Sequence, residues 1–258
     1  SHFFNRKTSG DGVYERSYVD GQMKSISEKL KFKLEHCKRH NIKIITYYTS
    51  NDDEYQFTSV DSDRYLVWGD QRLAIEKLAN IIASLGYFLI VRVHPNLMNK
   101  SEAEQSRWED LGTIIRQKGF HWIPQQDLEP SYRLINESDL IISSGSTVGV
   151  ESIALEKPSV VLTKCFYDEV IPSIKLCSSP EKLIDLLKDP KLYDIPNKVD
   201  CYIYGAWVML NATKFLYFEH TEFGFGYMKE GIRIASAGSA QKLISKLKRV
   251  AAFILKKK

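Results

Sequence analysis

Apolar residues along this chain follow two alternating rhythms. Short continuous runs rich in β-branched and aromatic residues lie at 42–48, 87–93, 120–123, 140–143 and 159–163. Runs of this length and composition read as strands buried on both faces, as in a parallel sheet. Between them the apolar positions switch to a helical spacing. Residues 70–85 carry Leu73, Leu78, Ile81, Ile82 and Leu85, and Gly86 follows where a left-handed residue closes a helix. Residues 101–118 open with Ser101 and Glu104 spaced as a capping box and stop before Gly119. Shorter helices are expected at 131–136, 147–155 and 180–188, and residues 200–220, rich in aromatics, also read as helical. Residues 18–40 place Met23, Ile26, Leu30 and Leu34 at helical intervals, whereas residues 1–16 show no period. Residues 241–255 form a basic amphipathic stretch with Leu243, Ile244, Leu247, Val250, Ala251 and Ile254 on its apolar side.

Strands that alternate with helices predict an α/β fold, a Rossmann-like doubly wound parallel sheet with helical flanks. The expected organisation is a lead-in and linking helix over 1–41, a Rossmann-like domain over 42–220, and a C-terminal amphipathic helical segment over 221–258.

Composition narrows the classes. A chain of 258 residues that is 43% hydrophobic and 12% aromatic can bury a full core. The net charge of +4, from 36 basic against 32 acidic residues, is too small to argue for nucleic acid. Cys37, Cys165, Cys177 and Cys201 have no CxxC spacing, so reduced, buried thiols are expected. No apolar run reaches the ~18 residues of a transmembrane helix, and no signal peptide is visible, which predicts a cytoplasmic location. The six histidines show no metal-ligand spacing, so zinc is not expected.

Chemistry concentrates where strands should end. In a doubly wound sheet, ligands bind beyond the carboxyl ends of the strands. The second run leads into Arg92, Val93, His94 and Pro95. Pro95 holds His94 extended, and Arg92 and His94 share one face by the period of two. Both suit an anionic ligand as charge-assisted donors, although a His-Pro pair in isolation reads as an ordinary turn. The fourth run leads into Ser143, Ser144, Gly145, Ser146, Thr147, Val148, Gly149, Val150 and Glu151. The two glycines permit close backbone approach, the hydroxyls donate, and the following helix start favours negative charge. Ser146 or Thr147 also suits a helix cap. Glu151, one turn beyond Thr147, can accept ribose hydroxyls or be simply an exposed or capping-region acid of the helix start. This stretch is neither a Walker loop nor GxGxxG nor GxSxG. Asp52, Asp53 and Glu54 follow the first run, where adjacent acids can bind a metal, serve as a general base or simply begin a helix. Ser131 caps the next expected helix, and Tyr132 lies near the same edge as a candidate contact to a base or ribose.

Taken together and in order, Ser50, Asp52 to Glu54, Arg92-x-His94-Pro95, Ser131-Tyr132, Ser138 to Ile141, Gly145-Ser146-Thr147-x-Gly149-x-Glu151 and Lys157-Pro158 resemble a known family. The pattern is similar to bacterial surface-polysaccharide glycosyltransferases of the GT-B class. These include capsule and lipopolysaccharide proteins such as Kdo transferases, and sialyltransferases with a His-Pro motif and a Ser-Ser/Thr motif for CMP. The resemblance covers roughly residues 42–220. It implies that His94, Ser146 and Thr147 hold the nucleotide phosphate and Glu151 the ribose. The family has two Rossmann lobes, so the chain resembles the C-terminal, donor-binding lobe, with the acceptor groove and the usual base on another lobe.

The expected reaction is transfer of a sugar from a CMP-sugar, such as CMP-Kdo or CMP-sialic acid, to a growing surface polysaccharide. The proposed catalytic residues are Asp53, Glu54 and His94. Donor contacts are expected from Arg92, His94, Pro95, Ser144, Gly145, Ser146, Thr147, Glu151 and Tyr132. No cofactor or metal is expected. The partners would be the donor, a glycan or glycolipid acceptor, a further N-terminal lobe or partner chain, and weakly the inner face of the cytoplasmic membrane. A sugar-nucleotide epimerase and a non-catalytic nucleotide-binding module are the competing readings.

Overall fold

A computed structural model of the chain describes residues 25–50, 68–127, 129–211, 218–221, 224–229 and 232–236. The chain divides into two compact units, Gly21–Leu210, and a second made of Ser1–Asp20 with Asn211–Lys258. In chain order the elements are α1 (Glu28–Arg39), β1 (Ile44–Tyr48), α2 (Gln71–Ser84), β2 (Phe88–Arg92), α3 (Glu102–Gln117), β3 (His121–Ile123), α4 (Ser131–Glu137) and β4 (Leu140–Ser143). They continue with α5 (Val148–Ala154), β5 (Ser159–Val161), β6 (Ile174–Leu176), α6 (Pro180–Lys188) and α7 (Val199–Asn211).

These six strands form one parallel sheet in the order β3-β2-β1-β4-β5-β6. The chain therefore forms the expected α/β Rossmann-like doubly wound sheet. Alternation along each strand sends side chains to opposite faces. Ile45, Tyr47, Leu89, Val91, Leu140 and Ile142 join one buried cluster with α2, α3 and α6. Ile44, Tyr48, Ile90, Ile123 and Ile141 join the other, with Leu30, Leu34 and Cys37 of α1 and Leu134 and Ile135 of α4. The helices that follow β1 and β2 thus cover one face, and the helix that follows β3 covers the other. Crossovers of one hand require this when the chain moves outward from β1 in one direction and then returns to add β4 on the other side. The order reverses between β1 and β4, and the helices that follow them, α2 and α5, pack with different faces of the sheet, the position where such sheets generally form a ligand crevice.

The strands form for the reason the sequence suggests: β-branched and aromatic side chains fit a sheet covered on both faces. Ile75, Leu78 and Ile82 of α2 are fully buried, each worth ~1.5–3 kcal/mol. Asp70 caps α2 by accepting from the Leu73 N–H, and Ser101 caps α3 by accepting from the Glu104 N–H. The Glu104 side chain instead accepts from the Trp108 indole at 3.2 Å, so only half of the expected capping box forms. Helix α1, read as a linking element, packs on the sheet itself, and the Glu129 carboxylate receives the Ser27 N–H at its start.

Several local expectations change. Leu73 is exposed, because the buried stripe of α2 runs instead through Ala74, Ile75, Leu78 and Ile82. The edge strand β6 had no sequence signature, since it is three residues long and only Ile174 of it is buried. Helix α7 stops at Asn211, and β7 (Phe218–Thr221), β8 (Gly224–Lys229) and β9 (Ile232–Ser236) form an antiparallel sheet by themselves. The helical segment expected over 221–258 therefore begins with strands, because a hairpin pattern alternates over too few residues to stand out there. The basic stretch 241–255 lies outside the described residues. The described cysteines are free and buried, as expected. Burial raises their thiol pKa values, that of Cys165 to about 12. Among the described residues, no helix is long and apolar enough to cross a membrane.

Candidate functional site

The two singled-out strand ends flank the crevice. Strand β1 continues past Tyr48 into Thr49 and Ser50, both buried. The Thr49 hydroxyl accepts from the His94 N–H at 2.7 Å. The Ser50 hydroxyl lies 3.5 Å from the Ser144 carbonyl, and the Ser50 backbone is paired in both directions with the Gln71 side-chain amide at 2.8 and 3.0 Å. The end of β1 is thus a bridge between the His94 loop and the Ser144 turn.

His94 is extended (φ -66°, ψ 132°), as a residue before proline should be, and caps a short 3-10 turn, Pro95–Asn99. Its Nδ1 accepts from the Asn96 N–H at 3.1 Å. Burial chiefly, and the Arg92 charge secondarily, hold its pKa down to about 4. The ring is therefore neutral at pH 7, with its proton on Nε2. His94 offers a neutral donor rather than the charged one expected from its residue type.

Arg92 is nearly fully buried, and its guanidinium is turned toward the β3–α4 loop. Its Nη1 donates to the Pro124 carbonyl at 2.9 Å and its Nη2 to the Asp127 carbonyl at 2.8 Å. These bonds brace the loop that enters α4. Arg92 and His94 are spaced as expected, but Arg92 is the last residue of β2 whereas His94 lies past the strand and caps the turn at Pro95.

The β4 end is built differently. Gly145 has φ +83°, a conformation that costs a residue with a Cβ ~1–2 kcal/mol. It turns the chain sharply so that Ser146 and Thr147 precede α5. Thr147 occupies the cap position but makes no capping bond with its side chain; its hydroxyl donates to Glu151 Oε1 at 3.3 Å. Ser146 Oγ lies 3.5 Å from the Val148 N–H, at the limit of a hydrogen bond. Backbone bonds at the start of α5 begin with the Gly149, Val150 and Glu151 N–H groups. Among the described residues, no hydrogen bond uses the N–H of Gly145, Ser146 or Thr147. Successive free N–H groups around a left-handed residue form an anion-binding concavity.

The remaining sequence-derived residues are dispersed. The Ser144 hydroxyl is buried and shares a 2.6 Å bond with the Tyr47 hydroxyl. Glu151 is buried in the first turn of α5. Ser131 is not the cap of α4: Pro130 holds that position, and the Ser131 carbonyl accepts from the Tyr48 hydroxyl at 2.7 Å. Tyr132 is half-buried against the α1/α4 cluster. Asp53 and Glu54 lie outside the described residues.

Three contributors escaped sequence reasoning. Thr49 and Gln71 had no motif, and their roles come from pairing across elements. Tyr167 donates to the Ser146 carbonyl at 2.5 Å from the loop after β5. A Cβ on Gly149 would fall 2.7 Å from that same hydroxyl. Gly149 was read as room for a ligand; in the structure the room is filled by Tyr167.

No protein-family model matches the chain, and no curated protein sequence does. Among solved structures it is similar to the UDP-GlcNAc 2-epimerase of Neisseria meningitidis bound to UDP-GlcNAc, at 18% identity and TM-score 0.43 over 71% of this chain and 50% of that one. It is also similar to the wall teichoic acid polymerase TagF, at 15% identity and TM-score 0.35 over 70% of this chain and 42% of that one. A third similar structure is the Thermosulfurimonas dismutans β-Kdo 2,7 transferase KpsC, at 13% identity and TM-score 0.36 over 95% of this chain and 67% of that one. The chain spans about half the length of the epimerases it matches, 50% and 52% of two of them.

Proposed function

We propose that this chain is the donor-binding lobe of a GT-B-class glycosyltransferase and that the crevice between β1 and β4 holds the phosphate of a nucleotide-sugar. The observation that supports this most is the turn at Gly145, Ser146 and Thr147. Its free N–H groups lie at the point where strand order reverses, linked through Ser144, Ser50 and Thr49 to the neutral donor His94. Breaking the bond from an anomeric carbon to a phosphate oxygen puts negative charge on the leaving phosphate. Fixed donors that need no reorganisation lower that barrier.

In this reading the turn N–H groups, the Ser146 and Thr147 hydroxyls and His94 Nε2–H receive phosphate oxygens, and Glu151 takes the ribose. Ser144 and Arg92 hold the turn and the β3–α4 loop in place, Pro95 fixes His94, and Tyr132 borders the base. A neutral His94 is a hydrogen-bond donor here, not a general acid. Deprotonation of the acceptor hydroxyl falls to Asp53, Glu54 or a carboxylate on a partner lobe. The proposed donor is a CMP-sugar, the acceptor a bacterial surface glycan, and no metal takes part. The basic C-terminal residues are proposed to attract the inner membrane surface weakly, about 1 kcal/mol per Lys. Salt-resistant pelleting with anionic vesicles would overturn that weak, electrostatic attachment.

Calorimetry with CMP, CDP, UMP, UDP and AMP tests the site. Binding of the cytidine nucleotides above AMP is expected. Uniform or absent binding removes the nucleotide site, and a uridine preference removes the CMP assignment. Incubation with UDP-GlcNAc, analysed for an epimerised product, tests the epimerase reading; formation of that product would replace the transferase.

A further inference from the structure

The loop after β5 reaches back to the β4 turn through one side chain. Tyr167 is fully buried, packed edge-on against Phe166 at 5.1 Å and Tyr204 at 6.2 Å between ring centroids. Its hydroxyl donates to the Ser146 carbonyl at 2.5 Å. That carbonyl also accepts the Gly149 N–H at 2.9 Å, the first backbone bond of the α5 entry. One carbonyl is therefore held by α5 on one side and by Tyr167 on the other. The peptide that carries it continues into the Thr147 N–H, which is one of the free donors. Rotation of this peptide would swing that N–H away.

The hydroxyl can reach the carbonyl only because residue 149 has no side chain. A Cβ there would sit 2.7 Å from the Tyr167 oxygen, 3.3 Å from its ring carbon Cζ and 3.3 Å from Ser159 Oγ. The ring is fully buried and in contact with Phe166 and Tyr204, so yielding to that Cβ would disturb its packing.

We propose that Gly149 and Tyr167 act as one positioning unit: the missing side chain of Gly149 admits the Tyr167 hydroxyl, which locks the Ser146–Thr147 peptide so that its N–H faces the ligand. Neither residue touches the ligand. The proposal rests on the nucleotide-phosphate reading of the crevice for its functional consequence, but its geometry is testable without ligand.

The experiment compares the full chain with Tyr167→Phe, Gly149→Ala and the double variant. In ligand-free hydrogen exchange, Tyr167→Phe should speed exchange of the amides at residues 149–151, whose acceptors are the Ser146 and Thr147 carbonyls, by about ten-fold, the effect of losing one hydrogen bond. Gly149→Ala should do at least as much alone and add little in the Tyr167→Phe background, a strongly non-additive cycle. If Gly149→Ala alone does not fold, recovery of folding in the double variant is the supporting result. Titration with CMP and with cytidine gives the functional readout. Tyr167→Phe should weaken CMP by a similar factor of about ten and leave cytidine unchanged, whereas general destabilisation would weaken both. Unchanged exchange in Tyr167→Phe, additive costs, or failure of the double variant to recover would overturn the positioning unit. Absence of CMP binding by the unaltered chain would instead overturn the nucleotide reading, leaving exchange to judge the pair.

Discussion

The β2 end and the β4 end of the crevice solve opposite problems. The β2 end carries the residue types associated with anions, yet it uses the Arg92 terminal nitrogens and the His94 Nδ1 internally. Arg92 gives its terminal nitrogens to the Pro124 and Asp127 carbonyls, and His94 is neutral with Nδ1 occupied by Asn96. The β4 end carries no basic residue from Ser143 to Glu151, yet it leaves backbone N–H groups unused at Gly145, Ser146 and Thr147. The difference teaches that a cationic side chain at a strand end can be consumed in bracing a loop, while a turn with no basic residue keeps backbone donors available.

The sharpest way to break this contrast is Arg92→Ala. Loss of charge-assisted bonds to buried carbonyls should cost about 3 kcal/mol of stability in urea unfolding, and Arg92→Lys should not restore it. A variant of native stability that binds no nucleotide would show that Arg92 is a ligand contact after all. Next in size, His94→Ala should weaken CMP binding by ~1.5–3 kcal/mol, the range for a hydrogen bond to a charged group, with the fold intact. Normal CMP affinity in that variant would reduce His94 to a turn residue.

Gly145→Ala should cost ~1–2 kcal/mol of stability from its left-handed backbone. It should weaken CMP while leaving cytidine unaffected. Equal weakening of both ligands would place the effect outside the phosphate turn.

The smallest effect is that of pH on stability. His94 and His121 both have pKa values lowered to about 4, with burial the first cause in each, then Arg92 for His94 and Lys33 with Lys29 for His121. The unfolded chain, with histidines near 6.5, binds more protons than the folded one between these values. Stability is therefore full above pH 6.5 and is lost as pH falls toward 4, by about 1 kcal/mol per histidine at pH 5.5. Urea midpoints at pH 7.5 and 5.5 check this, and His121→Gln should remove about half of the slope. A flat profile would mean that both rings are open to solvent.

Much of the fold was legible because burial imposes it locally. The runs ending at Val91 and Ile142 could bury every residue only as central parallel strands. Asp70, Ser101 and Gly86 marked helix ends through bonds within a few residues of themselves. The candidate site was legible only as a location. His94 and Gly145 mark where strands end, but the lowering of the His94 pKa comes from burial and from Arg92, which only the fold brings about. Ser131 was misread as a cap because a hydroxyl at a helix start is a local cue, while Pro130 takes the cap position. Strand β6, with two of its three side chains exposed, left no apolar pattern to read.

What the sequence by itself determined are the periodicities: which segments are strands or helices in the sheet, where the polar strand ends fall, and that a parallel sheet must place them on one edge. Tertiary structure alone decided what those ends do. Partners distant in sequence assign each donor: Thr49 to the His94 N–H, Pro124 and Asp127 to Arg92, and Tyr167 to the Ser146 carbonyl. The physical reason is that secondary structure follows from interactions a few residues apart. The charge state of an imidazole and the freedom of an N–H depend on whatever the fold packs beside them.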